Sequence, residues 1–133
     1  MEWLQPPGWP RPKGYSNGVL VHGCRMVVLA GQVGWDETEK IVPGGLVPQF
    51  ERALRNVLAV VSAAGGKPEH VVQLRLYLTD KQAYLSQQRE IGAAYRALMG
   101  RHFPCMTAVV VAGLVEEGAM IEIEGLAVLP ERA

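Results

Sequence analysis

Two carboxylates, Glu122 and Glu124, stand two residues apart inside the apolar stretch MIEIEGL, residues 120–126. On a strand, that spacing projects both from one face, about 7 Å apart. A carboxylate held on a partly dry face is suited to moving a proton. The competing reading is a solvated rim, or pairing with Arg25 or Arg75. Spacing alone leaves both open. A second stretch, HFPCMT at 102–107, opens an apolar run with a sulfur pair, Cys105 and Met106. A nucleophilic cysteine needs a lowered pKa and an adjacent base. His102 is three residues from Cys105, but strand geometry across Phe103-Pro104 does not pair the two. Cys24 and Cys105, with no CxxC spacing, are therefore read as small buried hydrophobes kept reduced in a cytoplasmic protein. His22, His70 and His102 are isolated from one another and lack ligand spacing, so no metal is expected.

The elements that position these residues are legible from periodicity. Gly18–His22 and Arg25–Gly31, joined by Gly23-Cys24, suggest a hairpin. Gly31 to Pro48 is a loop, long enough for a functional role. From Leu46 the pattern is helical: Val47, Phe50, Leu54, Leu58, Val61 and Ala64 share a face, with Pro48 in the first turn and Gly65-Gly66 as the stop. HVVQLRLYLTD then alternates, with Val72, Leu74, Leu76 and Leu78 on one face and Val71, Gln73, Arg75 and Tyr77 on the other. Thr79 or Asp80 caps a second helix with the face Tyr84, Leu85, Ile91, Tyr95 and Leu98, ending at Gly100. Gly92 lies inside it at a cost of about 1 kcal/mol against alanine, which implies a close approach there. Two strands, at about 106–114 and 119–128, close the chain.

The expected order is β-β-α-β-α-β-β, a single α+β domain with a mixed sheet and two helices on one face. It occupies residues 15–133, behind a proline-rich extended arm at 1–14 whose Trp3 and Trp9 are expected to pin it to the protein's surface. The face left uncovered, expected to carry Val71, Arg75, Tyr77, Met106, Val110 and Met120, implies a homo-oligomer with facing sheets.

With 133 residues, 49% of them hydrophobic and 20% charged, the chain has the composition of one globular domain. Thirteen basic and thirteen acidic residues cancel, which argues against bulk attraction to nucleic acid or anionic membrane. No apolar run approaches the roughly 20 residues of a membrane helix, and the N-terminus lacks the order of a signal peptide.

YSNGVLVHGCRMVVLAGQV, then GGLVPQFERALRNVLAVVSAAGGKPEHVVQLRLYLTD, then FPCMTAVVV and MIEIEGLAV resemble the Rid family, also called YjgF or L-PSP, from about Tyr15 to Val128. The resemblance implies a chorismate-mutase-like fold assembled as a homotrimer, sheets inward, with three ligand clefts between subunits and no cofactor. Founding members hydrolyse imines and enamines to keto acids and ammonia; others are described as endoribonucleases or translation inhibitors. Carried over by motif, Tyr15 lines the cleft, Gly31 is the turn where backbone meets ligand, and Glu122 positions the attacking water. The deaminases follow Phe-Pro with a small residue, an arginine that binds the substrate carboxylate, and Ser or Thr. Here those positions hold Cys105, Met106 and Thr107. A thioether has neither the charge nor the paired donors of a guanidinium. Ala108 stands where several relatives have cysteine, and Gly92 where an asparagine is common. Arg75 is the one charged residue of the open strand face that could restore a cation.

The expectation is therefore a Rid-type trimer that deaminates an imine or enamine other than the usual 2-imino acids. Glu122 would be catalytic, and Tyr15, Gly31, Met106, Thr107, Ala108 and Arg75 would contact substrate. A non-catalytic metabolite-binding trimer is the alternative, and an RNA-cleaving protein a more distant one.

Overall fold

The computed structural model describes residues 1–132. In chain order its elements are β1 (Glu2–Leu4), β2 (Gly18–Leu20), β3 (Cys24–Val33), α1 (Leu46–Ala63), β4 (Val71–Leu78), α2 (Lys81–Ser86), α3 (Gln88–Met99), β5 (Cys105–Val110) and β6 (Ile121–Pro130). The last four strands by length and pairing form one mixed sheet, ordered β3–β6–β4–β5, in which only β4 and β5 run parallel. This is the expected α+β class. Among the described residues no helix is long and apolar enough to cross a membrane.

The core lies between the sheet and the helices. Phe50, Ala53, Leu54, Val57 and Val61 of α1 and Ile91, Tyr95 and Met99 of α3 pack on Leu74, Leu76, Leu78, Ile121 and Ile123. The α1 stripe is turned slightly from the expected one: Ala53 and Val57 are fully buried, Val47 and Leu58 only partly, and Ala64 is an exposed cap residue. Gln49, buried on the same stripe, donates to Gly118 O (3.1 Å) and accepts from Met120 N (2.7 Å), which ties α1 to the turn entering β6.

Three details differ from the sequence reading. The hairpin between 18–22 and 25–31 does not form; β2 pairs with β1 of the N-terminal arm, leaving β3 an edge of the main sheet. Trp3 of that arm meets His102 edge-on at 5.5 Å, whereas Trp9 is exposed. The second helix is broken at Gln87 into α2, capped by Asp80 accepting from Ala83 N, and α3; Leu85 is exposed rather than packed.

The third difference changes which residues share a face. Val71 was expected on the open side, but a register shift between Val71 and Gln73 turns it into the core. Met106 and Met120 also pack against the core, and Val110 pairs with Leu78, so all three belong to the helix-side surface. The open face carries Arg75, Tyr77, Thr107, Val109, Glu122 and Glu124, with exposed Met26 and Val28 beside them on β3.

Strand spacing in the centre of the sheet requires a glycine. A Cβ on Gly125 would sit 2.1 Å from Gln73 O on β4. Gly125→Ala should therefore cost about 3 kcal/mol or more in urea unfolding. Gly113→Ala, where a Cβ meets nothing within 4 Å, should stay within about 0.5 kcal/mol of the parent.

Candidate functional site

Ser16 fixes one corner of the site. Its backbone N–H donates to Pro104 O at 2.9 Å, its hydroxyl donates to Phe103 O, and it bridges to Cys105 in parallel sense. These bonds staple the end of the arm to the start of β5 and bring Tyr15 over a cavity of roughly 330 Å³ between α3 and the β4–β5 edge. Met106, Ala108 and Leu76 face it from the sheet. The pairings Leu74–Met106 and Leu76–Ala108 explain this, because residues opposite one another on neighbouring strands share a face.

The cavity's back wall is aromatic and well tied. Tyr95 stacks on Phe103 with ring centroids 5.7 Å apart, and its hydroxyl donates to His102 O at 2.6 Å. Burial pushes the Tyr95 hydroxyl well above the usual phenol range, so it remains a neutral donor. Burial also raises the Cys105 thiol, with its own backbone hydrogen bond opposing, which disfavours the thiolate that nucleophilic chemistry requires. Cys24 and Cys105 are both free thiols.

Glu122 lies on the opposite side of the sheet. With Tyr77, Leu114, Val115 and Glu124 it lines a second cavity of roughly 300 Å³ on the open face. Gly31 borders the same carboxylate: a Cβ there would come within 2.6 Å of Glu122 Oε2. The two carboxylates are not equivalent. Glu124 accepts from the Tyr77 hydroxyl and lies 3.6 Å from Arg75 Nη1, and the Glu124 hydrogen bond is the chief reason the Tyr77 hydroxyl is raised. Glu122 enters no salt bridge among the described residues.

The structure thus sorts the sequence-derived site residues into two groups. Tyr15, Met106 and Ala108 meet at the α3–β5 cavity, while Glu122, Gly31, Arg75 and Thr107 belong to the open face. Arg75 does not reach Met106 within one chain, because it pairs with Thr107 and Glu124 on the other side of the pleat. Two cations that the sequence reading passed over do line the Met106 cavity: Lys13 and Arg96. The available signal was the i,i+4 spacing of Gly92 and Arg96, which puts them on one face of α3. Among the described residues no group of three His, Cys, Asp or Glu side chains could hold a metal ion.

Comparison with known proteins agrees with this architecture. The family described as Endoribonuclease L-PSP matches residues 10–129. Protein DfrA of Myxococcus xanthus is 34% identical over 118 residues, covering 86% of this chain and 84% of that one. The 2-iminobutanoate/2-iminopropanoate deaminase of Capra hircus is 33% identical over 115 residues, covering 86% and 79%. Among solved structures, YyfB of Yersinia pestis, a protein of unknown function in the conserved Rid family, superposes with a TM-score of 0.80 at 30% identity, covering 97% and 98% of the two chains. TdcF of E. coli with bound serine has a TM-score of 0.67 at 28% identity, covering 100% and 99%. The family match spans nearly the whole chain, and the chain belongs to the endoribonuclease L-PSP family, also known as Rid or YjgF.

Proposed function

We propose that the protein hydrolyses the C=N bond of an imine, or of an enamine through its imine tautomer, at clefts between the subunits of a homotrimer. The observation that carries this reading is the division of the site. The binding residues Tyr15, Met106 and Ala108 open on one side of the sheet, and the unpaired carboxylate of Glu122 opens on the other. A single chain cannot bring them to one substrate; a neighbouring copy presenting its open face can. The exposed Met26 and Val28 on that face, 59% and 74% accessible, supply apolar surface for such packing. The relatives named as iminobutanoate and iminopropanoate deaminases support the reaction class.

The chemistry follows from the groups present. Glu122 takes a proton from water as the water oxygen bonds to the imine carbon. The C=N π electrons move to nitrogen, which takes that proton back from Glu122. The resulting carbinolamine then collapses, its hydroxyl proton passing through Glu122 to nitrogen as the C–N bond breaks, so ammonia leaves, a carbonyl remains and Glu122 is again a carboxylate. Gly31, with no side chain, leaves the Glu122 carboxylate room. Met106 contributes apolar wall instead of a carboxylate clamp, so the compact 2-imino acids lose their anchor. The two free thiols suit a reducing compartment, and we place the protein in the cytoplasm.

Binding without turnover is the second reading, and a specific observation favours it: the similar TdcF structure holds serine. RNA cleavage fits less well with zero net charge.

Enzymatically generated 2-aminoacrylate separates these readings. The parent protein should barely accelerate ammonia release from it, and Met106→Arg should gain measurable turnover; rapid turnover by the parent would overturn the role given to Met106. On a substrate that is turned over, Glu122→Gln should lose about 100-fold or more in kcat with the fold unchanged. Light scattering should give three chain masses in solution, and a stable monomer would contradict the shared cleft.

A further inference from the structure

In the α3–β5 cavity, Arg96 occupies space that a side chain at position 92 would contest. Gly92 and Arg96 are one helical turn apart, and helical side chains lean toward the N-terminus, so Arg96 folds back over Gly92. A Cβ at Gly92 would lie 3.1 Å from Arg96 Nη1, tighter than ordinary contact. The close approach implied by a mid-helix glycine is therefore made by this guanidinium. The helix gives up favourable propensity there, and a cation lines the cavity.

That cation is uncommitted. The salt bridges among the described residues join Arg52 to Glu37, Arg55 to Glu51 and Arg75 to Glu124; Arg96 enters none. Lys13, from the end of the arm, lines the same cavity, and no Asp or Glu does. Two positive groups thus border a cavity whose other walls, apart from the neutral amide of Gln88, are largely aromatic or apolar, among them Tyr15, Leu76, Phe103, Met106 and Ala108. A guanidinium on such a border is built to take a carboxylate or phosphate through paired donors.

We infer that Arg96 is the anion-binding residue of this site, seconded by Lys13, and that it selects imines whose anionic group is separated from the C=N carbon by an apolar or aromatic spacer. This rests on the reading of the α3–β5 cavity as the ligand site. Placing the cation on the helix rather than on β5 moves the anion across the width of the cavity. The spacer then lies against Met106 and the aromatic wall, and the reacting carbon lies at the rim where Glu122 of a neighbouring subunit arrives. Short imino acids, with carboxylate and imine on adjacent carbons, cannot span that width.

The carbonyl products serve as binding probes independent of turnover. By titration calorimetry, 4-acetylbenzoate should bind the full-length protein at least tenfold more tightly than neutral acetophenone or pyruvate. Arg96→Ala should remove that preference, and Arg96→Lys should keep part of it. Gly92→Ala should weaken 4-acetylbenzoate while the protein unfolds at the same or higher denaturant concentration, an outcome that a purely structural role for Arg96 would not produce. Equal affinity for 4-acetylbenzoate and acetophenone in the parent, or unchanged affinity in Arg96→Ala, overturns the assignment. Glu122→Gln should retain the anion preference, and absence of hydrolysis by the parent protein would speak against the proposed reaction and leave the anchor standing.

Discussion

The register of β4 against its two neighbours governs the molecule. Leu74, Leu76 and Leu78 point to the helices, so the residues opposite them on β5, Met106, Ala108 and Val110, must do the same. Arg75 and Tyr77 point the other way, and Glu124 and Glu122 opposite them on β6 follow. A one-residue slip would exchange these sets and bury two carboxylates in the core, which would cost far more than the sheet could recover. The absence of a side chain at Gly125, where a Cβ would meet Gln73 O, preserves this pairing. Register therefore decides that an acid and an apolar cavity lie on opposite sides of one sheet. In the proposed function, a second copy of the chain brings the two together.

Much of this was legible from residue order. The helix of 46–63, its glycine stop, the alternation of β4 from Leu74 onward and the carboxylate pair on one face of β6 all follow from period and punctuation. What escaped was non-local. Val71 breaks the alternation because the ladder slips between Val71 and Gln73, and a slip is invisible without the partner strand. Met106 and Met120 were assigned to the wrong face because the face of a strand is only relative until its neighbour's register is known. The pairing of β2 with β1 was hidden by the prolines of the arm, which conceal a three-residue strand ahead of them.

Within one chain, the site residues named from the sequence fall on two sides of the sheet. Among the described residues, Arg75 and Tyr77 both engage Glu124, whereas Glu122 enters no salt bridge. Arg75, considered as a replacement cation, is occupied there. The residues that do line the cavity beside Met106, Lys13 and Arg96, come from an arm and a helix that have no periodic link to β5. Substituting a thioether at the clamp position has not left the cavity without positive charge; the charge sits on another wall. Under the Arg96 proposal, a site rearranged in this way would still bind an anion and would accept a molecule of different shape.

In the proposed function, one chain holds half a site. A crystal structure of the assembled protein tests it most directly. The Glu122 carboxylate of each subunit should open into the α3–β5 cavity of its neighbour, facing Met106 across a continuous cleft. An assembly in which that cavity opens only to solvent, or in which Glu122 is sealed against a surface lacking Tyr15 and Arg96, would contradict it.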